Sequence, residues 1–252
     1  MNAWPYPKLF AHRGGGSLAP ENTLAAVKLG QSLGYRAHEF DVKLSKDGVA
    51  MLLHDATLDR TTTGRGRACD FTWEELRELD AGGWHSEPFR GEKLASFEAV
   101  ARALIGRGDM ANVEIKPTPG FERETGAAVS AEAARLWSGA EVPPLLSSFQ
   151  YESLAAAKES APHLPRGWLI DKFTDADWAR LEALGAVSLH TDHKTFDVRN
   201  IGPLHARGYR VLLYTVNDVA TAQRLLDAGV DGLFTDNLRV FAGKFPQLRA
   251  VA

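Results

Sequence analysis

Eight short apolar segments, separated by stretches with helical character, recur along the chain and constrain its fold more than any other feature. They run Leu9 to His12, Ala37 to Leu44, Asn112 to Lys116, Leu145 to Phe149, Gly167 to Asp171, Val187 to His190, Arg210 to Val216 and Gly232 to Thr235. Strands alternating with helices favour a parallel sheet, because a crossover must carry the chain back to the same end of the sheet. Eight repeats favour closure, so the expected fold class is α/β, a (β/α)8 TIM barrel. The helices between stop at glycines, in Leu33-Gly34-Tyr35, Leu184-Gly185-Ala186, Arg207-Gly208-Tyr209 and Ala228-Gly229-Val230, where a left-handed cap hands over to a strand. Thr174-Asp175-Ala176-Asp177 predicts a capping box, and Trp178, Leu181 and Leu184 follow as one apolar stripe. Pro20-Glu21-Asn22-Thr23 is expected to open the first helix, with Pro20 in its first turn.

A chain of 252 residues, 44% of them hydrophobic, suffices for one such barrel, so a single domain over residues 1–252 is the expectation. The interval from Asp55 to Gly108 is too long for one crossover and predicts a small inserted cap after the second strand, at about 55–95. Just before it, Val49 to His54 extends the strand; within it, Thr61 to Gly66 is turn-rich, Thr72-Trp73-Glu74-Glu75 opens a short capped helix, and a longer helix runs from about Ser96 to Ile105.

The net charge of −3 is small and the basic residues are scattered, which gives no nucleic-acid surface. The first residues lack a basic region followed by an apolar one, and no run approaches a membrane span, so the expected location is cytoplasmic with no stable membrane association. Cys69 is alone, which excludes an internal disulfide and a thiolate zinc cluster.

Candidate chemistry sits at the ends of the first three strand-like segments. His12 and Arg13 close the first, Glu39 and Asp41 lie on the second, and Glu114 and Lys116 on the third. Residues two apart on a strand share a face, so each pair converges on the C-terminal mouth of a barrel. Carboxylates that close repel, and a cation between them removes the conflict. Glu39, Asp41 and Glu114 are therefore the candidate ligands of one divalent cation. An all-oxygen set suits Mg²⁺ or Ca²⁺ better than zinc. Arg13 offers a bidentate fork for a phosphate and Lys116 a point charge. His12 and His54 supply proton transfer near neutral pH. The other histidines, His38, His85, His163, His190, His193 and His205, are assigned structural roles. Gly14-Gly15-Gly16 lacks the ending of a phosphate loop, and is expected to let the backbone pass close to the site.

His12-Arg13-Gly14, Pro20-Glu21-Asn22-Thr23, Glu39-Phe40-Asp41-Val42, Lys46-Asp47-Gly48, His54-Asp55, Val113-Glu114-Ile115-Lys116-Pro117, Ser148-Phe149, Thr215-Val216-Asn217 and Thr235-Asp236 resemble, in order, the motifs of the glycerophosphodiester phosphodiesterase family. Trp4-Pro5-Tyr6-Pro7 and Leu145 to Phe149 are similar to its intracellular bacterial branch. The resemblance implies hydrolysis of glycerophosphodiesters to sn-glycerol 3-phosphate and an alcohol, with His12 and His54 as the acid/base pair. It also implies attack by the neighbouring glycerol hydroxyl and a cyclic phosphate that water opens. Tyr214 stands where many members carry Trp, and Leu238 where a Pro often follows. Tyr214 is thus a candidate substrate contact. Phe149 and Trp84 join it as pocket walls, with packing in core or cap as the equal alternative. Two alternatives stay open. A lysophospholipase D-like phosphodiesterase would need an apolar mouth, and a non-catalytic phosphate-ester binding barrel would need no histidine pair.

Overall fold

The structure is a computed structural model that describes residues 4–248. Eight strands pair in parallel around a closed barrel: β1 (Leu9–Ala11), β2 (Ala37–Leu44), β4 (Met110–Ile115), β5 (Leu145–Ser148), β6 (Arg166–Ile170), β7 (Ser188–Asp192), β8 (Arg210–Tyr214) and β9 (Gly232–Thr235). Closure comes from β1, which lies between β9 and β2, with Ala11 opposite His38 and Leu9 opposite Leu233. The helices α1 (Leu24–Ser32), α3 (Phe97–Ile105), α4 (Glu122–Leu136), α5 (Tyr151–Ser160), α6 (Ala176–Leu184), α7 (Ile201–Ala206), α8 (Val219–Asp227) and α9 (Leu238–Lys244) follow the barrel strands in turn. This is the (β/α)8 barrel that the alternation of segments predicts.

The strand β3 (Ala50–Leu52) departs from expectation. The segment from Val49 does not extend β2 but folds back against it, antiparallel, with Leu52 opposite Val42. The hairpin turns at Gly48, whose φ of 79° lies in the left-handed region where a residue without Cβ is unstrained. The insertion then carries α2 (Trp73–Leu76), where the Glu75 carboxylate accepts from the Thr72 N–H and hydroxyl. A small core of its own, Met51, Leu53, Leu58, Ala68, Leu76, Ala81 and Leu94, holds this cap together.

Pro20 is not in the first turn of α1. The helix begins at Leu24, capped by Thr23, whose hydroxyl accepts from the Ala26 N–H and donates to the Pro20 carbonyl. Pro20 lies earlier, in the loop that presents Glu21 and Asn22. At Thr174 only half of the capping box forms: the Asp177 carboxylate accepts from the Thr174 N–H, while α6 starts at Ala176. All four punctuating glycines have positive φ, and Gly185 is the left-handed cap of α6. The main core fills the shell between strands and helices. Inside the barrel, the lower end is closed by Tyr6, Phe10, Ala37, Met110, Leu145, Leu212 and Phe234.

Candidate active site

A cavity of about 240 Å³ opens at the C-terminal end of the strands, and His12, Arg13, Glu39, Asp41, His54, Glu114, Lys116, Phe149 and Tyr214 all line it. The register explains the convergence. Asp41 of β2 is opposite Glu114 of β4, and Glu39 is opposite Asn112, so the inward faces of two adjacent strands carry the acidic groups side by side. His12, Lys116 and Phe149 each stand one residue beyond a strand end, where the chain has begun to turn outward. His54 follows β3, so the unexpected hairpin is what returns it to the mouth.

One oxygen from each of Glu39, Asp41 and Glu114 lies within 4.8 Å of the others, and all three residues are buried. Glu39 Oε1 is buried without a hydrogen-bond partner. Burial, together with the charges of its acidic neighbours, pushes Glu39 and Glu114 well above the usual carboxylate range. Asp41 goes the other way. Burial would raise it, but Lys116, His54, Arg13 and an Asn22 hydrogen bond hold it at about 2. Close-set buried carboxylates with one orphaned oxygen fit a hard divalent cation, whose charge would reverse that upward push.

The cationic side of the site is held in place by further acids. Arg13 has φ of 49°, a left-handed conformation that costs a residue with a Cβ of order 1 kcal/mol or more. Its N–H donates to Glu39 Oε2 at 2.8 Å and its guanidinium to Glu21 Oε1 at 2.8 Å, contacts that hold the conformation. Gly14 follows, with its N–H on the Glu39 carbonyl, and a Cβ on Gly16 would stand 2.2 Å from the Asp236 carbonyl oxygen. The glycine run does let backbone pass close to the site. Lys116 Nζ lies 2.6 Å from Glu114 Oε1, 3.6 Å from Asp41 Oδ1 and 5.3 Å from the Phe149 ring centroid.

Each candidate proton-transfer histidine has a carboxylate on Nδ1, which sets the ring and leaves Nε2 for other chemistry. His12 Nδ1 is 2.6 Å from Asp236 Oδ1, and Asn217 Nδ2 donates to the other oxygen of Asp236. His54 Nδ1 is 2.8 Å from Asp55 Oδ1. The two rings are pushed apart in acidity. Burial pulls His12 down, but the Asp236 bond and the Glu39 charge outweigh it and raise it overall. Burial, with Lys116 and Arg13 nearby, lowers His54 despite Asp41 and Asp55.

Several residues of the site had no role in the sequence reading. Asp236, Asp55, Glu21 and Asn22 stood inside motifs but were given none, and here each orients a side chain of the site. Asn22, with φ of 59°, donates to Asp41 Oδ2 and accepts from the Asp41 N–H. Arg60, from the cap, carried no sequence signal. Its guanidinium makes two hydrogen bonds to Asp55 and two to Glu21, at 2.7–3.0 Å, and so ties the partner of His54 to the partner of Arg13. Lys43 is buried, and its ammonium donates to the carbonyls of His54 and Lys116.

The aromatic candidates divide. Phe149 and Tyr214 meet edge to face at 5.9 Å and form one wall. The Tyr214 hydroxyl donates to the Ile170 carbonyl, so the ring rather than the hydroxyl faces the cavity. Trp84 is outside this cavity, exposed on the cap beside a shallower depression that shares His12 and Arg13. Of the histidines assigned structural roles, His38 is fully buried, His85 ties the cap to the Ser17 carbonyl, and His205 pairs with Asp231. His190 is buried too, but it lines the same cavity as the acidic trio.

A family model, the glycerophosphoryl diester phosphodiesterase family, matches residues 12–240. The chain belongs to that family. Membership makes it an enzyme of phosphodiester chemistry. It is 34% identical over 233 residues to a glycerophosphodiester phosphodiesterase of Caldanaerobacter subterraneus subsp. tengcongensis, covering 91% of this chain and 93% of the relative. Among solved structures, a phosphodiesterase from Oleispira antarctica in complex with the product sn-glycerol-3-phosphate superposes with a TM-score of 0.88 and 35% identity, over 96% of this chain and 98% of the other. A glycerophosphodiester phosphodiesterase from Agrobacterium tumefaciens follows at 0.76 and 27%, over 94% and 99%. No helix among the described residues is long and apolar enough to cross a membrane.

Proposed function

We propose that this chain is a single-domain enzyme that hydrolyses glycerophosphodiesters to sn-glycerol 3-phosphate and an alcohol, in the cytoplasm, with one divalent cation, Mg²⁺ or Ca²⁺. The observation that carries the reading is the meeting of three buried carboxylates, two cations and two carboxylate-bound histidines in one cavity at the mouth of the barrel. Glu39, Asp41 and Glu114 would hold the ion, which when bound polarises a phosphoryl oxygen.

A phosphodiester resists attack because its anionic oxygens repel nucleophiles. Arg13 and Lys116 place positive charge against those oxygens, and Glu21 and Glu114 keep both side chains in position. His12 and His54 then divide the proton work. One takes the proton of the attacking hydroxyl, the neighbouring hydroxyl of the glyceryl arm, while the other gives a proton to the departing alcohol oxygen. Water opens the cyclic phosphate by the same pair with roles exchanged. Phe149 and Tyr214 offer ring faces to the substrate's carbon chain.

The test is a product assay on glycerophosphocholine. Release of sn-glycerol 3-phosphate and choline, abolished by EDTA and restored by Mg²⁺ or Ca²⁺, is the expected outcome. Failure to release either product under any metal would overturn the reading.

A further inference from the structure

The catalytic cavity has a polar floor that the chemistry above does not use. Asn112 of β4, one inward step below Glu114, Ser147 of β5, opposite Glu114, and His190 of β7 are each at most 1% exposed and each line the cavity. Inward layers of such barrels are ordinarily filled by Val, Ile and Leu. Here polar side chains replace them, and only part of their hydrogen bonding is met from within. Asn112 Nδ2 donates to Ser147 Oγ at 3.0 Å, and Ser188 Oγ lies 2.9 Å from His190 Nε2. Asn112 Oδ1 and His190 Nδ1 stay buried without a partner. A buried polar atom left unpaired is costly, so a ligand group that pairs it gains affinity. The backbone is also shaped for the imidazole, since a Cβ on Gly167 would stand 2.4 Å from His190 Nε2.

The chemistry of the floor selects its ligand. Burial holds His190 at about 3, so at neutral pH the ring carries no charge and has one donor and one acceptor nitrogen. An anion is disfavoured, because Glu39 is the register neighbour of Asn112 while Arg13 and Lys116 stand higher, at the mouth. Phe149, Leu169, Tyr214 and Phe234 complete apolar walls. A neutral hydroxyl on a short carbon chain meets all of these conditions. Two strand residues span roughly 6.6 Å, a drop that a three-carbon arm covers when its phosphate is held at the mouth.

We propose that Asn112 and His190 form a hydroxyl-binding subsite that takes the far hydroxyl of the glyceryl arm, and so select glyceryl diesters by the arm that stays with the phosphate. The inference rests on the phosphodiesterase reading. The glyceryl arm then enters first and deepest, and the leaving alcohol remains at the mouth.

The test compares the affinities of two ligands by calorimetry in excess Mg²⁺: sn-glycerol 3-phosphate, and the propane-1,2-diol phosphate that lacks only the far hydroxyl. Wild type should bind the first about tenfold or more tightly, because the analogue leaves the floor unpaired. In Asn112→Leu and in His190→Phe the ratio should fall to about twofold or less, through loss of glycerol 3-phosphate binding alone. A wild-type ratio near one would overturn the subsite and leave the floor to buried water. A ratio that persists in both variants would overturn it as well. Tight but indifferent binding of both ligands would refute the subsite and spare the phosphodiesterase reading, whereas binding of neither would remove both.

Discussion

The two ends of the barrel interior are built from the same strands, one inward step apart, and they have opposite chemistry. At the lower end Phe10, Ala37, Met110 and Leu212 pack into an apolar plug. One step up, the same strands present His12, Glu39, Asn112 and Tyr214. The plug lowers the free energy of the fold by burying apolar surface. The mouth raises it, by burying carboxylates that lack full compensation and by holding Arg13 in a left-handed conformation. The barrel's lower end and its outer shell therefore support the strain at the upper one.

That division can be broken from either side, and the largest effects come from the acidic trio. Glu39→Ala, Asp41→Ala or Glu114→Ala should each lower kcat/KM by about 10³-fold or more, several kcal/mol of transition-state stabilisation. Thermal denaturation should show a folded barrel. Phe10→Ala should do the reverse, costing about 3–5 kcal/mol of stability while the folded fraction turns over normally. A Glu114→Ala protein at wild-type rate would put the chemistry elsewhere.

Next come the histidines. His12→Ala and His54→Ala should each lower kcat by about 10²-fold, with product binding retained, and the double variant should cost far less than the product of the two. Near-normal turnover in both single variants would return these residues to a structural role.

Arg60 sharpens the comparison, because it belongs to the cap and touches neither end directly. Arg60→Ala should lower kcat/KM on the order of tenfold, through loosened Asp55 and Glu21. Arg60→Lys should recover little, since a single ammonium cannot hold two carboxylates bidentately. In a double-mutant cycle with Asp55→Asn the effects should overlap rather than add, and additivity would sever Arg60 from His54.

A pH-dependent effect lies on the floor of the upper cavity. His190 is held at about 3, below the 6.5 of an exposed imidazole, so the unfolded chain takes up its proton first as the pH falls. Its contribution to stability is full above pH 6.5 and is lost progressively toward pH 3, at about 1.4 kcal/mol per unit. His190→Gln should flatten the dependence of the unfolding free energy on pH by about 2 kcal/mol between pH 6.5 and 5, as read from denaturant titrations. An unchanged acid slope would show that the ring is not buried neutral.

The barrel and the first ligands of the site were legible because they depend on local rules. Apolar runs and terminal glycines mark strand and helix limits, and alternation puts Glu39 with Asp41 on one face whatever the rest of the chain does. What escaped depends on distant partners. His12 and Asp236 are 224 residues apart in sequence, and only barrel closure between β1 and β9 brings them together. Arg60 sits in a turn-rich stretch where nothing distinguishes it from a solvated charge until Glu21 and Asp55 are in place. The direction of β3 was misjudged because an apolar run carries no sign for parallel or antiparallel. Pro20 was misplaced because the Thr23 cap, four residues before Val27 closes its first backbone bond, decides where α1 begins.

The central claim is that the acidic trio holds the one ion on which turnover depends. Chelated protein titrated with Mg²⁺ or Ca²⁺, with binding followed by calorimetry and release of sn-glycerol 3-phosphate followed in the same samples, tests it most directly. One ion per chain should bind, activity should rise in step with occupancy, and both should be lost in Asp41→Ala. Full turnover by the metal-free wild type, or undiminished ion binding by Asp41→Ala, would contradict the account.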